Sequence, residues 1–148
     1  MILFHYGNIF DSPPGNSIAH CISQDAKMSK GIVLQFVSNF PFLSSLRNES
    51  NTIGTAVAVP FRAAFIYNLV SKCKYWMKPT LASLYDCLSS MRTHAIMHGV
   101  TDISVPQLGC GCDKLNFEVD VLPLLFGLFA TNSVHIHIYS VETSSRVR

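Results

Sequence analysis

Asp102-Ile103-Ser104-Val105-Pro106-Gln107-Leu108-Gly109-Cys110-Gly111-Cys112-Asp113 is the stretch whose reading decides the fold. A short apolar run ends at a proline and passes into two glycines two residues apart. The run reads as a strand over Asp102–Val105. The glycines let the backbone turn sharply and come close to a neighbour. Beyond them a helical pattern over about Phe117–Ala130 follows, with Pro123 arguing for a late start or a kink. A strand that turns on glycine into a helix is the joint of a layered α/β protein, and ligands of such proteins sit beyond the strand ends.

The rest of the chain agrees with that joint. Apolar runs bounded by turn residues predict strands at about Ile2–Tyr6, Ser17–Ile22, Thr55–Val59, Ala64–Val70 and Val134–Tyr139. The last alternates Val134, Ile136 and Ile138 with His135, His137 and Tyr139, so one of its faces is apolar. Leu81, Leu84, Tyr85, Leu88, Met91 and Ala95 form one stripe at helical spacing, predicting a helix from about Pro79 to His98. Pro79 suits its first turn and Gly99 the position past its end. A further helix is expected over Ile32–Asn39. The polar clusters Asp11–Asn16 and Arg47–Asn51 read as loops. Strands interleaved with helices require a mixed or parallel sheet.

The chain has 148 residues, enough for one domain with its own core. Hydrophobic residues make up 49% and charged residues 14%, a composition that excludes a disordered chain. A net charge of +2 gives no electrostatic case for tight duplex binding. The five cysteines (21, 73, 87, 110, 112) are an odd set, unlike a secreted disulfide framework. The N-terminus lacks the basic and apolar regions of a signal peptide. No stretch approaches the ~18–20 apolar residues of a membrane span. These features predict an intracellular monomer, nuclear or cytoplasmic, with reduced thiols and no membrane partner.

Four segments carry candidate chemistry, each with a plainer reading beside it. The turn at Leu108, Gly109, Cys110 and Gly111 offers free N–H groups to an anion, or is an ordinary tight turn. The segment from Ile22 to Gly31 joins a strand to a helix start, where backbone N–H groups can hold phosphate, or is a long polar loop. Lys72, just past the strand ending at Val70, is a nucleophile if it loses its proton, or a solvated lysine like Lys74 and Lys78. Asp113 is a general acid or base, or a helix cap. Cys110 and Cys112 invite a zinc reading, but no second ligand pair exists at the required spacing. No motif ties any of the six histidines to Cys110 as a nucleophile dyad. Tyr75 and Trp76 are a stacking platform for a base, or simply pack in a loop.

Taken in order, four segments resemble macrodomains of the terminal ADP-ribose protein glycohydrolase class. They are Gly7-Asn8-Ile9-Phe10; Ser17-Ile18-Ala19-His20-Cys21-Ile22-Ser23 with Met28-Ser29-Lys30-Gly31-Ile32; Ile66-Tyr67-Asn68-Leu69-Val70-Ser71-Lys72 with Lys78-Pro79-Thr80; and Gly99 to Pro106 with Leu108-Gly109-Cys110-Gly111 and Asp113. The resemblance covers nearly the whole chain. It implies a three-layer α/β/α sandwich on a mixed six-stranded sheet, with a macrodomain over 1–141 and a C-terminal tail over 142–148. It implies removal of ADP-ribose from modified protein or DNA with no metal or other cofactor, the alternative being a reader that only binds ADP-ribose. Met28 to Phe36 also looks like macrodomain antitoxins that act against DNA-ADP-ribosylating toxins.

The family lysine stands six residues before its Lys-Pro-Thr, as Lys72 does before Lys78; the family aspartate stands two after Gly-Cys-Gly, as Asp113 does. These two are the implied catalytic pair. The implied ligand contacts are Asn8, Ile9, His20, Ser23, Met28, Ser29, Gly31, Ile32, Pro106, Leu108, Gly109, Cys110, Gly111 and Cys112. The chain departs from the family at Asn8, where aspartate is usual at the adenine amino group, and at Ser29, where glycine is usual in the first phosphate loop. An asparagine carbonyl still accepts that hydrogen bond.

Overall fold

The computed structural model describes residues 1–28, 31–109 and 115–141. Six strands are present: β1 (Ile2–Tyr6), β2 (Ser17–Ser23), β3 (Thr55–Phe61), β4 (Ala64–Lys72), β5 (Asp102–Val105) and β6 (His135–Ser140). They form one sheet in the order β1-β6-β5-β2-β4-β3. All neighbouring pairs are parallel except β3 with β4. The mixed six-stranded sheet of the expectation is therefore the observed one. The C-terminal ends of the five parallel strands share one edge.

The core divides by strand parity. In β4, Tyr67 and Leu69 face α2 (Leu81–Met97) and α3 (Leu122–Phe129), while Ile66 and Val70 face α1 (Gly31–Asn39) and the 3-10 segment Pro41–Asn48. β2 alternates likewise, with Ala19 on the first side and Ile18 and Ile22 on the second. Period-two burial on both faces is what a central strand between two helical layers demands. The result is the three-layer sandwich.

The boundaries differ from expectation for identifiable reasons. α2 begins at Leu81, because Thr80 caps it: its hydroxyl accepts the Ser83 N–H at 3.0 Å, and the Ser83 hydroxyl accepts the Thr80 N–H at 3.2 Å. Pro79 thus precedes the cap and is not in the first turn. Gly99, at φ +70°, ends the helix as expected. Phe117–Val121 is a wide π-type turn, and α3 starts only at Leu122 with Pro123 in its first turn. β6 starts one residue late because the Val134 N–H is taken by the Asn132 side chain at 3.0 Å. The 3-10 segments Ile9–Asp11 and Pro41–Asn48 enter the regions expected to be loops. Residues 142–148, expected as a tail, lie outside the described residues. Among those described, no helix is long and apolar enough to cross a membrane.

Candidate functional site

Two clusters occupy the shared C-terminal edge. The first is a cleft of about 270 Å³ lined by Gly7, Asn8, Ile9, Ile32, Gln35, Pro106, Gln107, Tyr139, Ser140 and Val141. It is drawn from the chain just past β1, from the first turn of α1, and from the ends of β5 and β6. The pairing Gly7 N–H to Ser140 C=O at 2.9 Å carries the β1–β6 ladder up to its rim. Of the expected ligand contacts, Asn8, Ile9, Ile32 and Pro106 meet here. Asn8 Oδ1 also accepts the Phe10 N–H at 2.9 Å and so caps the short 3-10 turn. Only its second lone pair is left for an adenine amino group.

The second cluster stands at the ends of β2 and β4. Ser23 and Lys72 are register partners there, just past an irregularity in the ladder. The Gln24 N–H donates to the Lys72 carbonyl at 2.8 Å. The Ser23 hydroxyl donates to Asp25. Burial pushes the Asp25 carboxyl up, but the Ser23 hydroxyl, the N–H groups of Tyr75 and Lys27 and the charge of Lys74 outweigh it and hold it below its ordinary value. Lys27 Nζ lies 4.6 Å from the centre of the Tyr75 ring. Trp76 beside it is 71% exposed. Neither Ser23 nor Lys72 lines the first cleft.

The loop after β2 is strained and tethered. Ala26 and Met28 have φ of +51° and +52°, and Gly31 opens α1 at +64°. Left-handed backbone at non-glycine residues persists only where neighbours enforce it. Here Arg47 donates to the carbonyls of Ala26 (3.1 Å) and Lys27 (2.7 Å). Gln24 and Asn51 bond each other's backbone carbonyls at 2.8 and 3.3 Å. α1 then presents its first turn beside the cleft, where unpaired N–H groups favour an anion.

Three expected side-chain contacts are corrected by burial. His20 has no exposed surface; its ring stacks on Phe36 at 3.9 Å, in planes 2° apart. Its Nε2 lies 2.6 Å from Asn68 Oδ1. Asn68 Nδ2 donates to Val57 and Ile66 carbonyls, which fixes the amide and makes His20 Nε2 the protonated nitrogen. Burial, opposed in part by that hydrogen bond, lowers the His20 pKa to about 4. Met28 and Leu108 are also buried in core clusters, so only their backbone can reach a ligand.

Gly109 shows a further difference. At φ +80° it does need to be glycine. A Cβ there, however, would meet Leu115 Cδ1 at 2.8 Å, so the close approach is to the protein's own core. The Leu115 N–H donates to the Gly109 carbonyl at 2.6 Å, joining the two ends of the intervening segment. Asp113, Cys110, Gly111, Cys112 and Ser29, all expected at the site, lie outside the described residues. Among the described residues, no group of three or more His, Cys, Asp or Glu side chains is placed to hold a metal ion.

Gln35, Tyr139, Ser140 and Val141 are the cleft residues that sequence reasoning missed. The signal for Tyr139, Ser140 and Val141 was positional, from the rule that ligand sites gather where parallel strands end, whereas Gln35 lies one helical step past Ile32 on α1.

No family model matches the chain. The human protein named ADP-ribose glycohydrolase OARD1 is 33% identical over 140 residues, covering 95% of this chain and 91% of its own length. Its cattle counterpart is 32% identical over 140 residues, with the same coverage. Among solved structures, the macrodomain of Mycobacterium tuberculosis DarG superposes with a TM-score of 0.84 at 23% identity, covering 96% of this chain and 99% of that one. Thermosipho africanus DarTG, solved in complex with ADP-ribose, gives 0.79 at 15% identity, over 93% of this chain and 41% of that one. With the human relative's identity held across nearly its whole length, the chain belongs to the macrodomain family of ADP-ribose glycohydrolase OARD1.

Proposed function

We propose that this protein binds ADP-ribose in the cleft between β1, β6, β5 and α1, and removes it from a modified target with Lys72. The observation that carries the reading is the position of Lys72. It ends β4 on the same sheet edge as the cleft, paired in register with Ser23. The first turn of α1 and, in the turn after β5, Gln107 and Gly109 would supply N–H groups for the diphosphate, the Leu108 N–H being donated to the Pro106 carbonyl. Ile32 and Tyr139 give the cleft apolar and aromatic wall.

In the reaction, the neutral Lys72 amine attacks C1″ of the distal ribose. A C–N bond forms as the bond from C1″ to the target carboxylate oxygen or base breaks, and the leaving group departs with the electron pair. Asp113 takes the proton that the new ammonium sheds. Water then attacks C1″ as the C–N bond breaks, Asp113 returns its proton to the departing Lys72 amine, the water's surplus proton passes to solvent, and ADP-ribose is released. Nothing in this sequence calls for a metal or redox group. Tyr75, Trp76 and Lys27 flank Lys72 and would meet the target. The reduced thiols of Cys21, Cys73 and Cys87 fit an intracellular setting, and a monomer suffices for the reaction.

The test is incubation with glutamate-ADP-ribosylated protein and, separately, with ADP-ribosylated DNA, following release of ADP-ribose. Release from either supports the hydrolase. Binding of free ADP-ribose with no release from any substrate makes the protein a reader. A second arm tests the adduct. Asp113→Ala mixed with substrate should gain the mass of one ADP-ribose less water, mapping to Lys72. An inactive variant with no covalent species would mean that Asp113 activates water directly.

A further inference from the structure

Behind the cleft wall, on the sheet face away from α2 and α3, lies a column of rings that the proposed reaction does not use. The His5 ring stacks on Tyr139 at 4.8 Å with planes 16° apart, and on His137 at 5.1 Å and 25°. His5 Nε2 is 2.9 Å from His137 Nδ1, and His137 Nε2 is 2.8 Å from Asp102 Oδ1. The Thr101 hydroxyl donates to the other Asp102 oxygen at 2.9 Å. The column thus spans β1, β6 and β5 and ends on Tyr139, a cleft residue.

The protons in this column can be assigned. The hydrogen bond from His137, with help from the Thr101 hydroxyl, holds Asp102 below its ordinary value against the opposing effect of burial. Asp102 is therefore an acceptor only, and His137 Nε2 carries a hydrogen. In a neutral ring that leaves His137 Nδ1 as an acceptor, so His5 donates from Nε2. One further proton, placed on His5 Nδ1, breaks none of these bonds and sets an imidazolium against the Tyr139 ring. A second, on His137 Nδ1, would point two N–H groups at each other across 2.9 Å. The pair is therefore built for one proton.

We propose that His5, braced by His137 and Asp102, is a positioning residue for the Tyr139 wall, and that the pair's single proton makes ADP-ribose bind more tightly in acid than in base. The inference rests on the reading of the cleft as the ADP-ribose site. A positive charge behind that wall attracts the diphosphate, so binding and proton uptake favour each other. The titratable groups set against the pair are Asp102 from β5 and His135 and Tyr139 from β6. His20 stays neutral down to about pH 4 and adds nothing in this window. His94 and His98 lie on α2, across the sheet.

Calorimetry with free ADP-ribose at about pH 8 and about pH 6 tests it. The intact protein should bind roughly threefold tighter at the lower pH, at low ionic strength. His5→Phe keeps a ring against Tyr139 and should show the same affinity at both pH values. His5→Gln, which keeps a donor for His137, should be equally flat. A flat wild-type profile, or a gain retained in both variants, overturns the proposal. If no ADP-ribose binds at any pH, the cleft reading fails with it. Nitrogen-15 spectra of the imidazoles tell the two failures apart. In the free protein at high pH, His137 should carry its hydrogen on Nε2, and Asp102→Asn should abolish that preference.

Discussion

The two sides of the shared C-terminal edge are built from different materials. On the β1–β6–β5 side, the cleft is walled by backbone turns and by Ile9, Ile32, Pro106 and Tyr139, and its ladder runs to the rim. On the β2–β4 side, Ser23, Asp25, Lys27, Lys72 and Tyr75 are charged, polar or aromatic, and the loop among them is held by Arg47 and Asn51. An apolar wall with N–H groups at one end holds a ligand in its ground state. Charged groups on a strained, tethered loop act where charge develops in a reaction. The difference argues that binding and chemistry are separable in this molecule, and mutations should separate them.

The largest expected effect is on the β2–β4 side alone. Lys72→Ala should lower the turnover of a modified substrate by about 10³-fold, while ADP-ribose affinity stays within about threefold. Calorimetry and an ADP-ribose release assay on one preparation check this. Parallel losses of affinity and turnover would erase the distinction between the sides.

Gly109→Val should do the converse and more. A side chain at φ +80° is strained, and it meets Leu115 at once. The expected cost is about 3–4 kcal/mol, seen as a melt lowered by roughly 10 °C with binding lost as well. Restoration of the melting temperature by Gly109→Val combined with Leu115→Ala would show that the clash, more than the backbone, dominates.

A third test falls on the layer beneath the β2–β4 side. Unfolded His20 takes a proton near its ordinary pKa of 6.5, whereas folded His20 stays neutral to about 4. Between these values only the unfolded chain binds the proton, so stability falls as the pH drops through that window and is unaffected above it. The loss should approach about 3 kcal/mol. Urea unfolding at several pH values measures it, and His20→Gln should flatten that part of the profile. Smallest is Asn51→Ala, which removes bonds to the Leu46 and Gln24 carbonyls. It should cost about 2 kcal/mol and lower turnover several-fold with little change in ADP-ribose affinity.

The strands and α2 were legible in the sequence because burial on a sheet or helix face leaves a period in the chain. The order of the strands was not, since β1 beside β6 is a pairing between opposite ends that no local pattern records. Motif order singled out Asn8, Ile9, Ile32 and Pro106, and these four line one cleft. His20, expected at the site from its motif, has its ring inside the core, where Nε2 meets Asn68, forty-eight residues on, and Nδ1 has no partner among the described residues. Tyr139 carried no motif, only its place at a strand end. The histidine column was visible as alternation in β6, but the partner that gives it meaning, Asp102, comes from another strand.

The adjacency of β1 and β6 sets the order in which the molecule can be completed. β1 has one neighbour in the sheet, and that neighbour is the last strand of the chain. During synthesis the first strand must wait, its sheet hydrogen bonds unmade, until residues 7–134 have been made. Contacts of such long sequence separation form late and slowly. The cleft draws on residues 7–9 and 139–141, so it comes into being only with that final pairing. A nascent or truncated chain lacking β6 can hold a folded centre and yet offer nothing to ADP-ribose. Ligand binding is therefore a readout of the β1–β6 pairing, and its delay after the centre folds would time the docking of these two strands.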